Sequence, residues 1–219
     1  MSIWEEIYSR NEQLNKYPFD SVVSFIFKNF GKLSYEERKN IKILEVGCGA
    51  CNNIWFLSEE GFDTYGIDIS KSAINFGKKV LEKKNLNANL MVGSFTELPY
   101  EDNYFDIIID RLAITQCPTF IEDSLLNVKR VLKDEGLFFS IMFNTEHSGY
   151  KESIGKQESI NNYGFMKVND DYLSNLGQTY FIDNENTIIK KYFKIINLTK
   201  VSHEFDNKIH SQTIFILNK

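Results

Sequence analysis

Residues 41–70, IKILEVGCGACNNIWFLSEEGFDTYGIDIS, decide the fold of this chain. Their apolar, β-branched start predicts a strand buried on both faces. Gly47 and Gly49 then predict a tight turn that lets the backbone approach a bound molecule. A helix ended by Gly61 follows, and a second strand ends at Asp68. A carboxylate about 20 residues beyond such a turn is where a Rossmann-like βαβ unit binds ribose hydroxyls.

Two residues of this stretch distinguish between the ligands that a Rossmann-like unit can hold. Asn52 stands where a nicotinamide fingerprint has its third glycine. Glu45 adds a negative charge just before the turn, which disfavours an anionic pyrophosphate. A carboxylate at this place suits a ligand with a cationic amino-acid end. Both residues therefore argue against an NAD(P)-dependent oxidoreductase, which stays an alternative.

The pattern Glu45-x-Gly47-x-Gly49 with Asp68 resembles motif I and the following acidic motif of the class I S-adenosylmethionine (SAM)-dependent methyltransferases. This resemblance implies an α/β fold with a Rossmann-like, doubly wound, seven-stranded sheet. The sheet would be mostly parallel, with an antiparallel last strand and helices on both faces. It also implies SAM as cofactor and methyl transfer as activity. Cys51 departs from the pattern, because many members carry a third glycine there, and it constrains how closely the chain approaches the methionine part.

The resemblance also implies which residues contact the cofactor. The methionine part would be lined by Glu45, Gly47, Cys48 and Gly49, the ribose by Asp68, and the adenine by Ile69, Ser94 and Phe95. Asp110, at the end of the fourth predicted strand, and Tyr17, in the N-terminal segment, complete the predicted cofactor set. The family commonly has an acidic residue where Ser94 stands, so a hydroxyl or the backbone must replace it.

Residues 110–117, DRLAITQC, resemble an Asp-Arg-x-x-x-Thr-His-Asn stretch of a subset of small-molecule methyltransferases. They follow the fourth predicted strand, where doubly wound sheets bind ligands. Arg111 is predicted to hold an anionic group, either the cofactor's carboxylate or the acceptor. Tyr150 is a second candidate for acceptor binding, and His147 is the candidate catalytic base. The stretch is similar to methyltransferases of bacterial surface-polysaccharide pathways, so the resemblance implies a sugar or sugar-linked acceptor, methylated on O or N.

The chain is predicted to form one methyltransferase domain over residues 1–219. Residues 1–40 would form an N-terminal helical arm that either packs on the domain or covers the cofactor as a lid, with Tyr8 and Tyr17 as candidate hydroxyls. The polar residues 144–178 would form an insertion on the acceptor side, because a long irregular segment in a compact domain is often functional.

Periodicity and turn residues predict the remaining elements. An amphipathic helix is expected over residues 3–14 and another over 119–134, with a polar connector at 34–40. The last two strands are expected at 192–198 and 211–217, as an antiparallel pair that closes the sheet.

Composition limits the classes of partner. The chain has 219 residues and is 42% hydrophobic, yet no run approaches the ~18 apolar residues of a membrane span. A net charge of −5 argues against nucleic acid, since phosphate binding needs a basic face. Three cysteines suit a reducing compartment, and the first residues show no secretory signal. We therefore expect a cytoplasmic enzyme with a small-molecule acceptor and without a nucleic-acid or membrane partner.

Two further alternatives come from the same residues. Cys48 and Cys51 have the spacing of a thioredoxin-like redox motif, but such a protein needs neither Glu45 nor a second strand ending in Asp68. The other cysteine and the histidines are too scattered to predict a zinc site, so no metal is expected. A SAM-binding module without catalysis, acting as a regulatory or partner subunit, is the remaining alternative.

Overall fold

The computed structural model of the chain describes residues 2–152, 158–159, 166–167 and 179–219. The helices are α1 (Ile3–Ser9), α2 (Asp20–Phe30), α3 (Tyr35–Arg38), α4 (Asn52–Glu59), α5 (Lys71–Lys84), α6 (Ile121–Val131), α7 (Ser148–Glu152) and α8 (Thr187–Tyr192). The strands are β1 (Lys42–Val46), β2 (Asp63–Asp68), β3 (Asn89–Val92), β4 (Phe105–Arg111), β5 (Leu132–Phe143), β6 (Glu158–Ser159), β7 (Met166–Lys167), β8 (Lys194–Phe205) and β9 (Lys208–Asn218).

Seven of these strands form one sheet in the order β3-β2-β1-β4-β5-β9-β8. Pairing is parallel from β3 through β5, and β9 pairs antiparallel with both of its neighbours. This confirms the predicted doubly wound sheet with an antiparallel last strand. The strand order reverses between β1 and β4, and doubly wound sheets bind ligands beyond the carboxyl ends of the strands at such a point.

The core lies on both faces of this sheet, which is why the central strands read as continuous apolar runs. Leu44 and Ile108 belong to one apolar cluster, and Ile43 and Ile107 belong to the other. All four side chains are fully buried. Among the described residues, no helix is long and apolar enough to cross a membrane.

The first predicted helix is shorter than its periodicity suggests. It ends at Ser9 rather than at residue 14. Asn11 and Gln13 take φ values of 57° and 56°, in the left-handed region that an α-helix does not contain. As a result, residues 10–19 leave the helix and run as a connector to α2.

Two other boundaries differ from the sequence prediction. The helix expected over 119–134 ends at Val131, because Leu132 already pairs with Phe105 in the sheet. The polar residues 34–40 contain α3, where Ser34 and Glu37 form a reciprocal capping box.

The closing hairpin of β8 and β9 is longer than expected. Asp206 and Asn207, at φ 49° and 59°, form its two-residue turn, for which such residues are well suited. Most of the predicted insertion at 144–178 lies outside the described residues, which there comprise 144–152, β6 and β7.

Candidate active site at the carboxyl ends of the parallel strands

A cavity of about 200 Å³ opens at the point where the strand order reverses. Its described lining comes from three parts of the chain. The N-terminal segment contributes Trp4, Tyr8, Gln13, Asn15 and Phe19. The ends of β1, β2 and β3 and the turns after them contribute Glu45, Gly47, Cys48, Gly49, Ala50, Asn52, Asp68, Ile69, Ser94 and Phe95. The ends of β4 and β5 and the residues after β4 contribute Arg111, Leu112, Ala113, Gln116, Cys117 and Phe143.

The turn after β1 is packed so closely that only glycine fits at two places. A Cβ on Gly47 would lie 2.2 Å from Ala113 Cβ, and one on Gly49 would lie 2.3 Å from Tyr8 Oη. Both glycines have positive φ values, 64° and 50°, which L side chains rarely adopt. The turn therefore presents bare backbone to the cavity, as the sequence pattern predicts.

Asp68 joins this turn to the end of β2. One carboxylate oxygen accepts the Gly49 N–H at 2.8 Å, and the other accepts the Ser70 N–H at 2.8 Å. Burial raises the pKa of Asp68, while these two hydrogen bonds act in the opposite direction. Because a carboxylate oxygen has two lone pairs, each oxygen can still accept a hydroxyl from a ligand.

Glu45 is the second carboxylate of the cavity, and it is only half satisfied. Its Oε1 accepts the Asn53 side-chain N–H at 2.6 Å, whereas Oε2 is buried and has no hydrogen-bond partner among the described residues. Burial raises the pKa of Glu45 to about 8. An unpaired, buried carboxylate oxygen is costly, and a ligand with a cationic group would satisfy it.

Arg111 supplies the complementary charge. Its guanidinium carbon lies 3.4 Å from the centre of the Phe19 ring, a cation–π arrangement. Burial lowers the pKa of Arg111, and the negative charge of Glu45 acts in the opposite direction. Within the described ranges, no carboxylate lies within 4 Å of its nitrogens, so its N–H groups are available to an anionic ligand group.

Asn52 and Asn53 fasten the N-terminal connector to this site. Asn52 donates to the Tyr17 carbonyl at 2.8 Å, and Asn53 accepts the Phe19 N–H at 3.0 Å while donating to Glu45. Asn52, which stands where a nicotinamide fingerprint has its third glycine, therefore helps to hold the connector. This connector places Phe19 against Arg111.

The three residues predicted to contact adenine lie together on the cavity wall. Ile69 is 39% exposed, and Phe95 is buried except for its face toward the cavity. The Ser94 hydroxyl shares a 2.7 Å hydrogen bond with Thr96 Oγ1 and accepts the Thr96 N–H. This arrangement matches the predicted grouping of the three residues, and their contact with a cofactor stays a prediction.

Asp110 lies behind the lining rather than in it. Its carboxylate is fully buried and accepts the N–H groups of Ala113 and Ile114 and the Ser140 hydroxyl. Burial raises its pKa to about 6. In this position it shapes the turn that presses Ala113 against Gly47, so its described contacts are those of a turn-forming residue.

Tyr17 is 78% exposed and is not among the described lining residues. The tyrosine that faces the cavity from the N-terminal segment is Tyr8. Burial raises the pKa of the Tyr8 hydroxyl, and the nearby Asp68 adds to this effect. Tyr8 therefore remains a neutral phenol.

His147 and Tyr150 also lie outside the described lining. The His147 ring is buried against the rings of Phe143 and Phe181, at centroid distances of 5.0 and 5.6 Å. Its Nδ1 accepts the Gly149 N–H at 3.0 Å, so that nitrogen carries no proton. The Tyr150 ring packs on Phe181 at 5.7 Å. Their predicted roles with the acceptor stay predictions.

The two cysteines of the turn are packed as a structural pair. Their sulfur atoms lie 3.8 Å apart, and both residues are buried. A Cβ on Gly77 would lie 2.3 Å from Cys51 Sγ, and one on Gly66 would lie 2.9 Å from Cys48 Sγ. Contact with Cys51 and burial raise the pKa of Cys48, which disfavours the reactive thiolate. This environment argues against the redox alternative.

Several residues of the site were not predicted from the sequence. Asn53, which supports Glu45 from behind the lining, had a usable signal, since it belongs to a polar pair in the first turn of a helix directly after the glycines. Phe19 and Phe143 had none, because aromatic residues at such positions are indistinguishable from core residues until the chain is folded.

Comparison with known proteins agrees with this architecture. Residues 37–195 match the family described as "Methyltransferase domain". The ubiquinone biosynthesis O-methyltransferase of Rickettsia typhi is 26% identical over 193 residues, 86% of this chain and 77% of that protein.

Solved structures show the same fold. A SAM-dependent methyltransferase of Methanosarcina mazei superposes with a TM-score of 0.67 at 19% identity, over 81% of this chain and 92% of that chain. The 1,6-didemethyltoxoflavin-N1-methyltransferase of Burkholderia thailandensis, with bound 1,6-didemethyltoxoflavin and S-adenosylhomocysteine (SAH), gives a TM-score of 0.71 at 10% identity, over 98% and 84%.

The family match covers most of the chain, and the sheet and the glycine turn fit it. The chain belongs to the methyltransferase domain family and is a class I SAM-dependent methyltransferase. SAM is its cofactor.

Proposed function

We propose that this enzyme transfers the methyl group of SAM to an oxygen or nitrogen atom of a small-molecule acceptor bound in the cavity. The observation that supports this most strongly is the placement of two ionisable side chains in the cavity lining, each with hydrogen-bonding capacity that no described residue uses. Glu45 Oε2 needs a donor, and the guanidinium of Arg111 is available to an acceptor. The amino-acid end of SAM carries both an ammonium and a carboxylate, which satisfies the two residues together.

The other cofactor contacts are proposed from the same geometry. The ribose hydroxyls would lie at Asp68, and the adenine would lie between Ile69 and Phe95 with Ser94 at its edge. The bare backbone from Gly47 to Gly49 would pass beneath the methionine part, with Cys48 beside it.

Methyl transfer asks for placement more than for acid–base chemistry. SAM supplies a methyl group that its sulfonium already activates. The protein has to hold the acceptor atom in line with that methyl group and exclude water. The carboxylates of the described lining are Glu45 and Asp68. Each is hydrogen-bonded within the protein and is proposed to contact the cofactor, so we assign neither as a base for the acceptor. His147 stays our candidate base for a hydroxyl acceptor, a role that requires its buried ring to turn from behind Phe143 and to give up the Gly149 N–H.

The lining residues to which we assign no contact with SAM include three aromatic side chains, Trp4, Phe19 and Phe143, and the amide of Gln116. Aromatic faces suit the apolar face of a sugar ring as well as a planar aromatic ring. The sugar or sugar-linked acceptor suggested by residues 110–117 remains our first candidate. An aromatic acceptor is the second, favoured by these rings and by the relatives named above.

The test is calorimetric titration of the purified protein with SAH, followed by an assay that measures formation of SAH from SAM with sugar, phenol and amine acceptors. We expect micromolar SAH binding, no binding of NAD, and turnover with one acceptor class. Binding without turnover across all classes would favour the non-catalytic module. No SAH binding by the folded protein would overturn the proposed function.

The pairing of Glu45 with an ammonium predicts proton release on binding. Because the pKa of Glu45 is about 8 without ligand, its carboxyl is mostly protonated between pH 6.0 and 7.5 and must ionise to pair with the cation. Affinity for SAH should therefore rise with pH across this range, with release of close to one proton. Calorimetry in buffers of different ionisation enthalpy measures this number.

The control for this prediction is Glu45→Gln. The amide keeps the size of the side chain but has no proton to release, so binding should be weaker and should lose its pH dependence. An unchanged proton release in this variant would show that another group titrates.

Arg111→Met separates the two ligands that this residue could hold. If Arg111 binds the carboxylate of the cofactor, the apolar side chain should weaken SAH binding about 10- to 150-fold, which corresponds to about 1.5–3 kcal/mol for a charge-assisted hydrogen bond. If it binds the acceptor, SAH binding should be unchanged and only KM for the acceptor should rise. We expect the first result, because Glu45 and Arg111 share one wall.

A further inference from the structure

The N-terminal segment forms one wall of the cavity although it precedes the matched family domain. The match begins at residue 37, whereas Trp4, Tyr8 and Phe19 all line the cavity. Of the described part of the predicted N-terminal arm, only residues 3–19 form this wall, and from here on the arm means these residues. The enzyme therefore completes its cofactor site with a segment for which the family assignment gives no role.

One side chain of the arm makes three hydrogen bonds to the start of α5. Glu5 Oε2 accepts the Ser70 hydroxyl at 2.6 Å and the Ser72 N–H at 3.1 Å, and Glu5 Oε1 accepts the Ser72 hydroxyl at 2.7 Å. These bonds lower the pKa of Glu5. The positive end of the α5 dipole also favours a carboxylate here. Ser70 is bonded to Asp68 through its own N–H, so Glu5 docks beside the predicted ribose contact.

The docked helix places Tyr8 against the glycine turn. Its hydroxyl oxygen lies 2.3 Å from the position that a Cβ of Gly49 would take, and no described residue forms a hydrogen bond with it. Trp4 packs on Tyr8, with ring centroids 6.1 Å apart, and also lines the cavity. Docking of Glu5 thus carries two aromatic side chains over the turn.

The two ends of the arm are held differently. Residues 16–19 are fixed to α4 by hydrogen bonds from Asn52 and Trp55 and by the Phe19 N–H bond to Asn53. Between the two ends, Asn11 and Gln13 have left-handed φ values and interrupt the helix. Residues 10–15 therefore lie between the two held ends of the arm, where a hinge for α1 would be.

We propose that Glu5 is a positioning residue that latches α1 over the cofactor through Ser70 and Ser72, so that release of this latch limits cofactor exchange. The inference rests on the proposed function, since it takes the cavity as the SAM site. It assigns to Glu5 a role in the rate of cofactor exchange rather than in the chemistry.

The experiment compares Glu5→Gln with Glu6→Gln, which removes the same charge from the exposed neighbouring position of α1. Stopped-flow displacement of SAH, followed by Trp4 fluorescence, measures the dissociation rate. We expect dissociation about tenfold faster in Glu5→Gln and unchanged in Glu6→Gln, with similar melting temperatures. Trp4→Phe should abolish the signal, since Trp55 lies outside the described lining.

Ser72→Ala provides a second route to the same latch. If Glu5 acts through Ser72, the double variant Glu5→Gln/Ser72→Ala should dissociate SAH no faster than the more affected single variant. Equal dissociation rates in Glu5→Gln, Glu6→Gln and the wild type would overturn the latch while leaving SAH binding, and hence the proposed function, intact. Absence of SAH binding by the wild type would overturn the proposed function and this inference with it.

Discussion

Replacement of Asp68 with asparagine is expected to lower the affinity for SAH about 100-fold, equivalent to about 2.8 kcal/mol. Both oxygens of Asp68 accept backbone N–H groups, from Gly49 and Ser70, at 2.8 Å. Whichever way an asparagine amide is oriented, its NH₂ group faces one of these donors. The substitution therefore opens the turn and also weakens the proposed ribose contact, where a neutral oxygen accepts a hydroxyl less strongly than a carboxylate.

Asp106→Asn is the matched control for this loss. Asp106 accepts the Lys42 N–H and pairs with Lys133 at the opposite end of the sheet, so its loss should lower stability without changing SAH binding. Calorimetric titration at one pH, with thermal unfolding of both variants, separates the two effects. Equal SAH affinity in Asp68→Asn and the wild type would show that Asp68 does not contact the cofactor.

Replacement of Gly47 with alanine is expected to lower the free energy of unfolding by about 3 to 5 kcal/mol. Part of this loss comes from the φ of 64°, since a non-glycine residue in the left-handed region costs about 1–3 kcal/mol. The remainder comes from the new Cβ, which would lie 2.2 Å from Ala113 Cβ, because overpacking in a tight site typically costs about 1–3 kcal/mol. Urea unfolding measures the sum.

The double variant Gly47→Ala/Ala113→Gly separates the two contributions. Removing the Ala113 Cβ relieves the clash but leaves the backbone strain, so about 2 kcal/mol of coupling should appear between the two substitutions. Gly93→Ala serves as control, because its Cβ would lie 3.1 Å from the end of the Ile67 side chain and its φ is not in the left-handed region. Strict additivity of the Gly47 and Ala113 substitutions would mean that the turn relaxes freely.

The first half of the fold could be predicted closely because its signals are local. The helix α4 ends just before Gly61 and β2 ends at Asp68, as residues 41–70 predict. Where local preference and pairing compete, the sequence prediction failed. Leu132 suits the end of a helix, but its pairing with Phe105 commits it to the sheet.

The residues of the candidate site also fall into those that local sequence signals predict and those that the tertiary structure places. The cavity contains Glu45, Gly47, Gly49 and Asp68 as predicted, since all four belong to one βαβ unit whose geometry follows from its own residues. Of the two candidate tyrosines of the arm, Tyr8 lines the cavity and Tyr17 is exposed, because the helix ends at Ser9 and the connector turns Tyr17 to solvent.

The sequence by itself determined the sheet, the cofactor class and the glycine turn, because each depends on residues within about one βαβ unit. Only the tertiary structure decided that Phe19 stacks on Arg111, that Asn53 joins the connector to Glu45, and that Glu5 docks on α5. These contacts join segments far apart in the chain. Their energies depend on burial and on charge at close range, and neither exists until the sheet has brought the segments together.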